Sequence, residues 1–442
     1  MSSLANRVRR QLHWMFFSRY SESLWSVAET FVYPLLLLIL TPVLLKTVGP
    51  ADYGLWVLAY SIAGFGNLAN FGMGLATQRF VARARGEKSK SASMEQAAAV
   101  VAQTLLLAAI GGTVLAVVLL LAARPLAEIF LGKMGVQAHV ILSIQVAGVV
   151  IACQQIESVL ASGLRGLERF DLAAKAEATT KSLGAAAVIA TAVWSRDVEA
   201  VLIVAATFAV AAVIAKGIVL RRALKRVIPV FSWRFPDRAL LRFGLWTWLQ
   251  GISATVFQQA DRLLLSAMLG GVAVANYSVA SQVGALVHAG FSATFAVVLP
   301  RLSRQMATGD RNSRAQHFSQ TWRSFLALNV TAVIAVGLPL WIFGPALLHL
   351  WLGETATADV LRIYPLVLAA FLILSMNIAP HFVLLGSGSA RYVSLTNGAA
   401  ALLAIVALYP AVSIFGVEGA ALCRVLYGIV VITSYLCYRT VP

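Results

Sequence analysis

The sequence predicts an all-α, polytopic membrane protein of about 12 transmembrane helices, arranged as two six-helix lobes related by a parallel pseudo-two-fold repeat. Three observations lead there. Apolar residues make up 60% of the 442 positions and charged residues 12%, against about 45–50% and about 25% in soluble domains. The apolar residues gather in runs of the length, about 20 residues, that crosses a bilayer. Landmarks in the first half then recur in the same order in the second.

The runs lie at about 24–45, 53–77, 96–121, 137–161, 172–194, 198–220, 240–268, 272–299, 318–344, 360–385, 390–413 and 416–437. The first opens at Leu24-Trp25-Ser26, contains Pro34 and Pro42, and is followed by Gly49-Pro50-Ala51-Asp52-Tyr53. Tyr53 starts the second run, which ends at Arg79. The fifth and sixth runs are divided only by the turn Ser195-Arg196-Asp197. The seventh opens at Leu245-Trp246-Thr247, and Tyr277 starts the eighth, which ends at Arg301. Gly166-Leu167-Glu168-Arg169-Phe170 leads to Val198-Glu199-Ala200, as Gly388-Ser389-Ala390-Arg391-Tyr392 leads to Val417-Glu418-Gly419. Small residues such as Gly64, Gly72, Gly111 and Ala399 punctuate the spans and let helices approach closely in lipid. A transmembrane β-barrel would need short strands of alternating polarity, whereas these runs are continuously apolar.

Net charge is +17, and its placement points to topology rather than to nucleic acid. Most Lys and Arg fall in alternate connections: the N-terminus, loop 2–3 (Arg79, Arg83, Arg85, Lys88, Lys90), loop 4–5 (Arg165, Arg169, Lys175), loop 6–7 (Lys216 to Arg242) and loop 8–9 (Arg301 to Arg323). The opposite set holds Lys46, Arg124, Lys133, Arg196 and Arg362. Cytoplasmic loops carry the excess of Lys and Arg, so both termini are expected in the cytoplasm. Residues 1–23 read as a cytoplasmic interfacial segment, with Gln11–Phe17 as a short amphipathic stretch, and not as a signal peptide. Residues 24–220 read as the first lobe, 221–239 as a cytoplasmic linker and 240–442 as the second lobe. Six spans per half make the repeat parallel, and such repeats hold substrate at their interface.

No enzyme motif occurs. A phosphate-binding Gly-Lys-Ser loop is missing, the six histidines have no metal spacing, and the three cysteines sit unpaired in apolar runs. No metal or organic cofactor is expected. His288 and His381 are read as interhelical hydrogen bonders. Ionisable groups inside spans carry more information, because such groups face a cavity or a partner. Glu29, Glu157 and Asp261 are the candidate ion-coupling carboxylates, for H+ or Na+. Asp261 stands equally as half of a structural pair. Arg262, Gln258 and Gln259 make the seventh span the most polar and are candidate substrate contacts. Arg79 and Arg301 occupy matching repeat positions and are candidates to flank a cytoplasmic mouth, since arginine grips phosphate with a planar fork.

Several of these segments resemble the polysaccharide transporter family, the Wzx-type flippases of O-antigen and other lipid-linked oligosaccharides. They are Gly49-Pro50-Ala51-Asp52-Tyr53-Gly54-Leu55-Trp56, Asn70-Phe71-Gly72-Met73-Gly74 with Arg79-Phe80, Leu164-Arg165-Gly166-Leu167, and Asp261-Arg262 followed by Ala275-Asn276-Tyr277. The resemblance covers about 24–437 and implies the fold of the multidrug/oligosaccharidyl-lipid/polysaccharide exporter superfamily, with two lobes forming a V. It implies movement of an undecaprenyl-diphosphate-linked oligosaccharide from the cytoplasmic to the periplasmic leaflet by alternating access with cation coupling. Membrane lipids, a polysaccharide polymerase and a chain-length regulator are the implied partners. A cation-coupled multidrug exporter of the same fold would need an acidic, aromatic cavity. A membrane-embedded glycan polymerase or ligase would need large outer loops. The sign of the cavity charge separates the first rival from the flippase.

Overall fold

The computed structural model describes residues 31–32, 34–66, 71–84, 90–131, 138–224, 238–296, 311–355, 357–386 and 389–437. Glu29, Arg301, residues 1–23 and most of the 221–239 linker lie outside the described residues. Within them the chain is helical, with no strand. The helices are α1 (its apolar part Pro34–Thr47), α2 (Pro50–Gly64), α3 (Met73–Ala84), α4 (Lys90–Leu131), α5 (Ala138–Gly166), α6 (Phe170–Ser195) and α7 (Val198–Ala223). The second half supplies α8 (Arg238–Leu269), α9 (Gly271–Ala296), α10 (Arg311–Leu352), α11 (Ala358–Met376), α12 (Ile378–Gly386), α13 (Ala390–Phe415) and α14 (Val417–Cys437).

Each of the 12 expected spans coincides with one helix or with two in succession. Seven stretches are both long and apolar enough to cross a membrane by composition alone. The helices α6, α8 and α9 have the length, at 26, 32 and 26 residues, but carry more polar side chains. The outer surface is oily: Trp194 is 93% exposed, Leu350 84% and Leu121 79%. An apolar exterior over a partly polar interior suits a lipid surround.

Sequence explains the joints. After Ser195 the chain turns through Arg196 in the left-handed region (φ 52°), and Asp197 caps α7 by accepting from the Glu199 backbone N–H at 3.0 Å. A side-chain oxygen at this position satisfies one of the orphan donors of a helix start. Span two is broken between α2 and α3, where Phe71 and Gly72 both have positive φ. Span ten is broken at Asn377, between α11 and α12. A break inside a membrane frees backbone carbonyls that lipid cannot satisfy. Buried amides from neighbouring helices fill the gap. Gln155 Nε2 donates to the Gly66 carbonyl at 2.7 Å, and Asn329 Nδ2 donates to the carbonyls of Ser375 and Met376 at 3.0 Å each.

The repeat is visible in the helices themselves. The helix that forms the third span of each half, α4 and α10, is 42 residues long and carries proline in its later part, Pro125 in one and Pro339 and Pro345 in the other. Only 17% of the apolar window of each is buried, so both stand on the outside of the bundle. α3 to α7 pack mainly on one another, as do α8 to α14, while α2 packs on both halves. The halves meet chiefly where α2 packs against α8 and α9, and where the start of α8 leans on α3 and α4.

One end of the bundle, where α1 stops and α2, α9 and the end of α10 lie, is tightly closed between the halves. A Cβ on Gly54 would stand 2.0 Å from the Gly271 carbonyl oxygen. No side chain fits there, which is why both helices present glycine. Beside this contact Gln282 Nε2 of α9 donates to Thr41 Oγ1 at 2.7 Å and to the Tyr53 hydroxyl at 3.1 Å. Trp351 of α10 donates its indole N–H to the Leu38 carbonyl of α1 at 2.6 Å. At the opposite, basic end the halves touch through α8: Leu240 is buried with Met73, Ala76, Ala108 and Val159, and Trp248 lies 5.2 Å from Phe71.

Gly54→Val should therefore prise open the closed end. Hydrogen–deuterium exchange over 271–282 is expected to rise by about fivefold or more, and unchanged exchange there would show that the contact is not the seal.

Candidate functional site

A cavity of about 570 Å³ lies between the halves, walled by α1, α2, α5, α6 and α7 on one side and by α8 and α9 on the other. Its roof is the closed end, with Tyr53, Gln282, Ser278, Gln259 and Arg262. Trp56 and Tyr60 continue down α2, their rings 4.4 Å apart. Its floor is charged. Glu157 of α5, Glu177 and Lys181 of α6, and Lys216 of α7 form one cluster, with Arg165 nearby on the wall.

Lys216 is the centre of that cluster. Its ammonium donates to Glu157 Oε2 at 2.7 Å and to Glu177 Oε2 at 2.5 Å, and Lys181 pairs with Glu177 Oε1 at 2.6 Å. Side-chain exposure rises from 2% at Lys216 through 14% at Glu177 and 17% at Glu157 to 37% at Lys181. Glu157 and Lys216 sit seven to nine residues before the ends of α5 and α7, and Glu177 the same distance after the start of α6. At 1.5 Å per residue this is about 10–14 Å in from the basic end. A lysine at that depth costs several kcal/mol unless paired, and here two carboxylates from two other helices meet it. Glu177 and Lys181 are an i,i+4 pair, so one turn of α6 carries both signs on one face.

Arg262 faces the same cavity from α8. It contacts Gln259 Oε1 at 3.5 Å, and its Nε is buried with no partner among the described residues. The cavity wall therefore carries four cations, Arg165, Lys181, Lys216 and Arg262, and two carboxylates.

Of the residues singled out from sequence, Glu157, Gln259 and Arg262 line this cavity. Asp261 does not. About 100° round the helix from Arg262, it turns into the second half, where the Arg424 guanidinium holds it at 2.8 Å and the Tyr277 hydroxyl donates to it at 2.7 Å. Asp261 is 4% exposed and Arg424 7%, and Phe371 stacks 5.1 Å beneath the guanidinium. Of the two readings of Asp261, the structure takes the interhelical pair. Gln258 is exposed, and only its carbonyl joins the network, accepting from Arg424. Arg79 is exposed on α3 and does not line the cavity, because its helix packs on α4, α5 and α8 instead. Glu29, and Arg301 as the repeat counterpart of Arg79, lie outside the described residues. His288 bonds Ser375 of α11 and His381 bonds Tyr435 of α14, both at 3.3 Å, as interhelical hydrogen bonders do.

Sequence reading missed Glu177 and assigned Lys216 to the cytoplasmic loop after span six. The structure corrects this: Lys216 is seven residues inside α7 and fully buried. A signal was present. Glu177 and Lys181 four apart in span five, with Glu157 in span four and Lys216 in span six, set opposite charges at similar depth on three consecutive helices.

Residues 21–306 match the family profile described as polysaccharide biosynthesis protein. The chain belongs to that family. No curated protein matches it by sequence. Solved structures share its fold. An inward-facing multidrug resistance MATE family transporter of the MOP superfamily superimposes with a TM-score of 0.68 at 17% identity, over 93% of this chain and 96% of that one. The lipid II flippase MurJ, in an inward closed conformation, gives 0.67 at 16% identity, over 93% of this chain and 86% of that one. An outward-facing MATE family transporter gives 0.60 at 17% identity, over 94% and 93%. This polysaccharide biosynthesis protein is thus a multi-pass membrane protein with the two-lobed fold of those transporters.

Because Asp261 and Arg424 are buried partners, removing one leaves the other uncompensated. Arg424→Met is expected to lower stability by about 3–5 kcal/mol, whereas Asp261→Asn combined with Arg424→Met should recover most of the loss. Unfolding in detergent, followed by tryptophan fluorescence, measures both.

Proposed function

We propose that this protein moves a lipid-linked oligosaccharide with a diphosphate headgroup, of the undecaprenyl class, from the cytoplasmic to the periplasmic leaflet of a bacterial inner membrane. The observation that carries the reading is the charge of the cavity: four cations against two carboxylates, the reverse of what an exporter of organic cations needs. A diphosphate cannot enter hydrocarbon unaided. Arginine and lysine side chains in a water-poor cavity replace its hydration, Arg262 by a two-pronged grip and the lysines as point charges. Gln259, Gln282, Ser278 and Thr180 offer hydroxyl and amide groups to sugars in the same space.

The closed end at Gly54, Gln282 and Trp351 is then the periplasmic gate, by the excess of Lys and Arg at the other end. Higher structural agreement with the inward-facing than with the outward-facing transporter supports the same assignment. Among the described residues the hydrogen bonds to be broken for reopening at the periplasmic side are few: the two from Gln282 and the one from Trp351. Glu157 is the carboxylate placed to couple this rocking to an incoming H+ or Na+, since it lines the cavity while Asp261 is held in a buried pair. A polysaccharide polymerase and a chain-length regulator act downstream of such a carrier in this reading.

Complementation of a flippase-deficient bacterium, read by surface polysaccharide profiling, tests the proposal. The wild-type chain should restore polymer, and Arg262→Ala should reduce it by at least about tenfold at equal protein level in the membrane. Arg79→Ala should stay close to wild type. Export of a cationic dye by the wild type without any restored glycan would replace the proposal with the drug-exporter reading.

A further inference from the structure

The charged floor is occupied by its own counterions. Lys216 places a single ammonium against two carboxylates from different helices, Glu157 on α5 and Glu177 on α6. Glu177 also neutralises Lys181 through its second oxygen. From the lysine's side this is the chemistry of a diphosphate: two anionic oxygen groups, together carrying two negative charges, close enough to share one ammonium. Both carboxylates line the cavity and are partly exposed to it, while Lys216 itself is 2% exposed. An incoming anion therefore meets Lys181 and the carboxylates before Lys216, and must exchange with the carboxylates to reach that buried lysine.

We infer that Glu157 and Glu177 are a built-in surrogate ligand, which holds Lys216 and Lys181 neutral in the empty carrier and is displaced one carboxylate at a time by the phosphates of the substrate. This rests on the reading of the cavity as an anion site given above. It explains why a cavity of net positive charge keeps two acids against its most deeply buried cation. An empty carrier that rocked with a bare ammonium inside would leave that charge unpaired in an apolar bundle. Return of the carboxylates removes the penalty and expels the product from the same positions. The displaced carboxylates stay on α5 and α6 with their charge, and Glu157, released from Lys216, is then the group that takes up the incoming H+ or Na+.

The surrogate has a signature opposite to that of a simple binding residue: deleting an acid should strengthen anion binding. The experiment uses the full-length protein in nanodiscs, titrated calorimetrically with inorganic diphosphate and, separately, with undecaprenyl diphosphate. Wild type should bind weakly. Glu157→Gln and Glu177→Gln, which keep side-chain size and hydrogen-bonding capacity, should each bind at least tenfold more tightly, and Lys216→Met should lose binding. In the complementation assay the Gln variants should nonetheless carry less substrate, because the product is no longer expelled. Tightening with the prenyl lipid but not with inorganic diphosphate supports the proposal with the lipid headgroup as the source, and tightening with both supports it for any diphosphate. Unchanged or weaker binding by monodisperse Gln variants, beside measurable wild-type binding, overturns the surrogate while leaving the anion site standing. Binding by neither wild type nor variants overturns the anion-site reading and the surrogate with it. The two Gln variants lie on different helices, so if one is not monodisperse the other decides.

Discussion

Lipid supplies no hydrogen bonds, so every polar group inside this bundle has to be answered by another group of the protein. The most consequential case is Lys216, where one ammonium draws α5 and α6 onto α7 through Glu157 and Glu177. The same demand fixes the other irregular places. The backbone can break at Gly66 and at Asn377 because Gln155 and Asn329 reach across to the freed carbonyls. Arg424 can lie in the middle of α14 because Asp261 meets it from α8 and Phe371 lies under its face. Apolar packing holds the remainder, and it is the polar exceptions that decide which helices are neighbours.

The duplication shows how one scaffold has been put to two uses. Tyr53 and Tyr277 open the second span of each half, and both reach back by their hydroxyls to the preceding span. In the first half the partner is Thr41, and Gln282 of the other half joins them, so the tyrosine belongs to the seal between the halves. In the second half the partner is Asp261, and Arg424 joins from α14, so the equivalent tyrosine locks the inside of one half. The charged floor of the cavity is built wholly by the first copy, while the second contributes Arg262 and Gln259 near the roof. That the first helix of the second copy is the most polar was legible from Arg262, Gln258 and Gln259. The weighting of charge towards the first copy was not.

Sequence legibility followed the length scale of the signal. Spans were legible because each is a run of about 20 apolar residues, and even the short Ser195-Arg196-Asp197 turn divided two helices where expected. Candidate residues in the middle of spans were legible as a class, since a charge there is costly wherever it points. Their orientation was not. Asp261 and Arg262 are adjacent in sequence, yet one is sealed into a lobe and the other faces the cavity, a difference of a third of a helical turn that depends on which neighbours pack against α8. A residue near a span end misled in the other direction. Lys216 read as one more cytoplasmic cation because Arg221 and Arg222 follow within two turns.

The sequence by itself determined that this chain is a membrane bundle, that it is two copies of one unit, and which end carries the positive charge. Each of these depends on composition or order along the chain, and burial in lipid makes composition decisive. The tertiary structure decided that Glu157, Glu177, Lys181 and Lys216 are one site, that Asp261 is not part of it, and that glycines at 54 and 271 seal one end. These are relations between residues up to 217 positions apart. They are set by the rotation of each helix about its axis, which a uniformly apolar sequence leaves open until its few polar groups find partners.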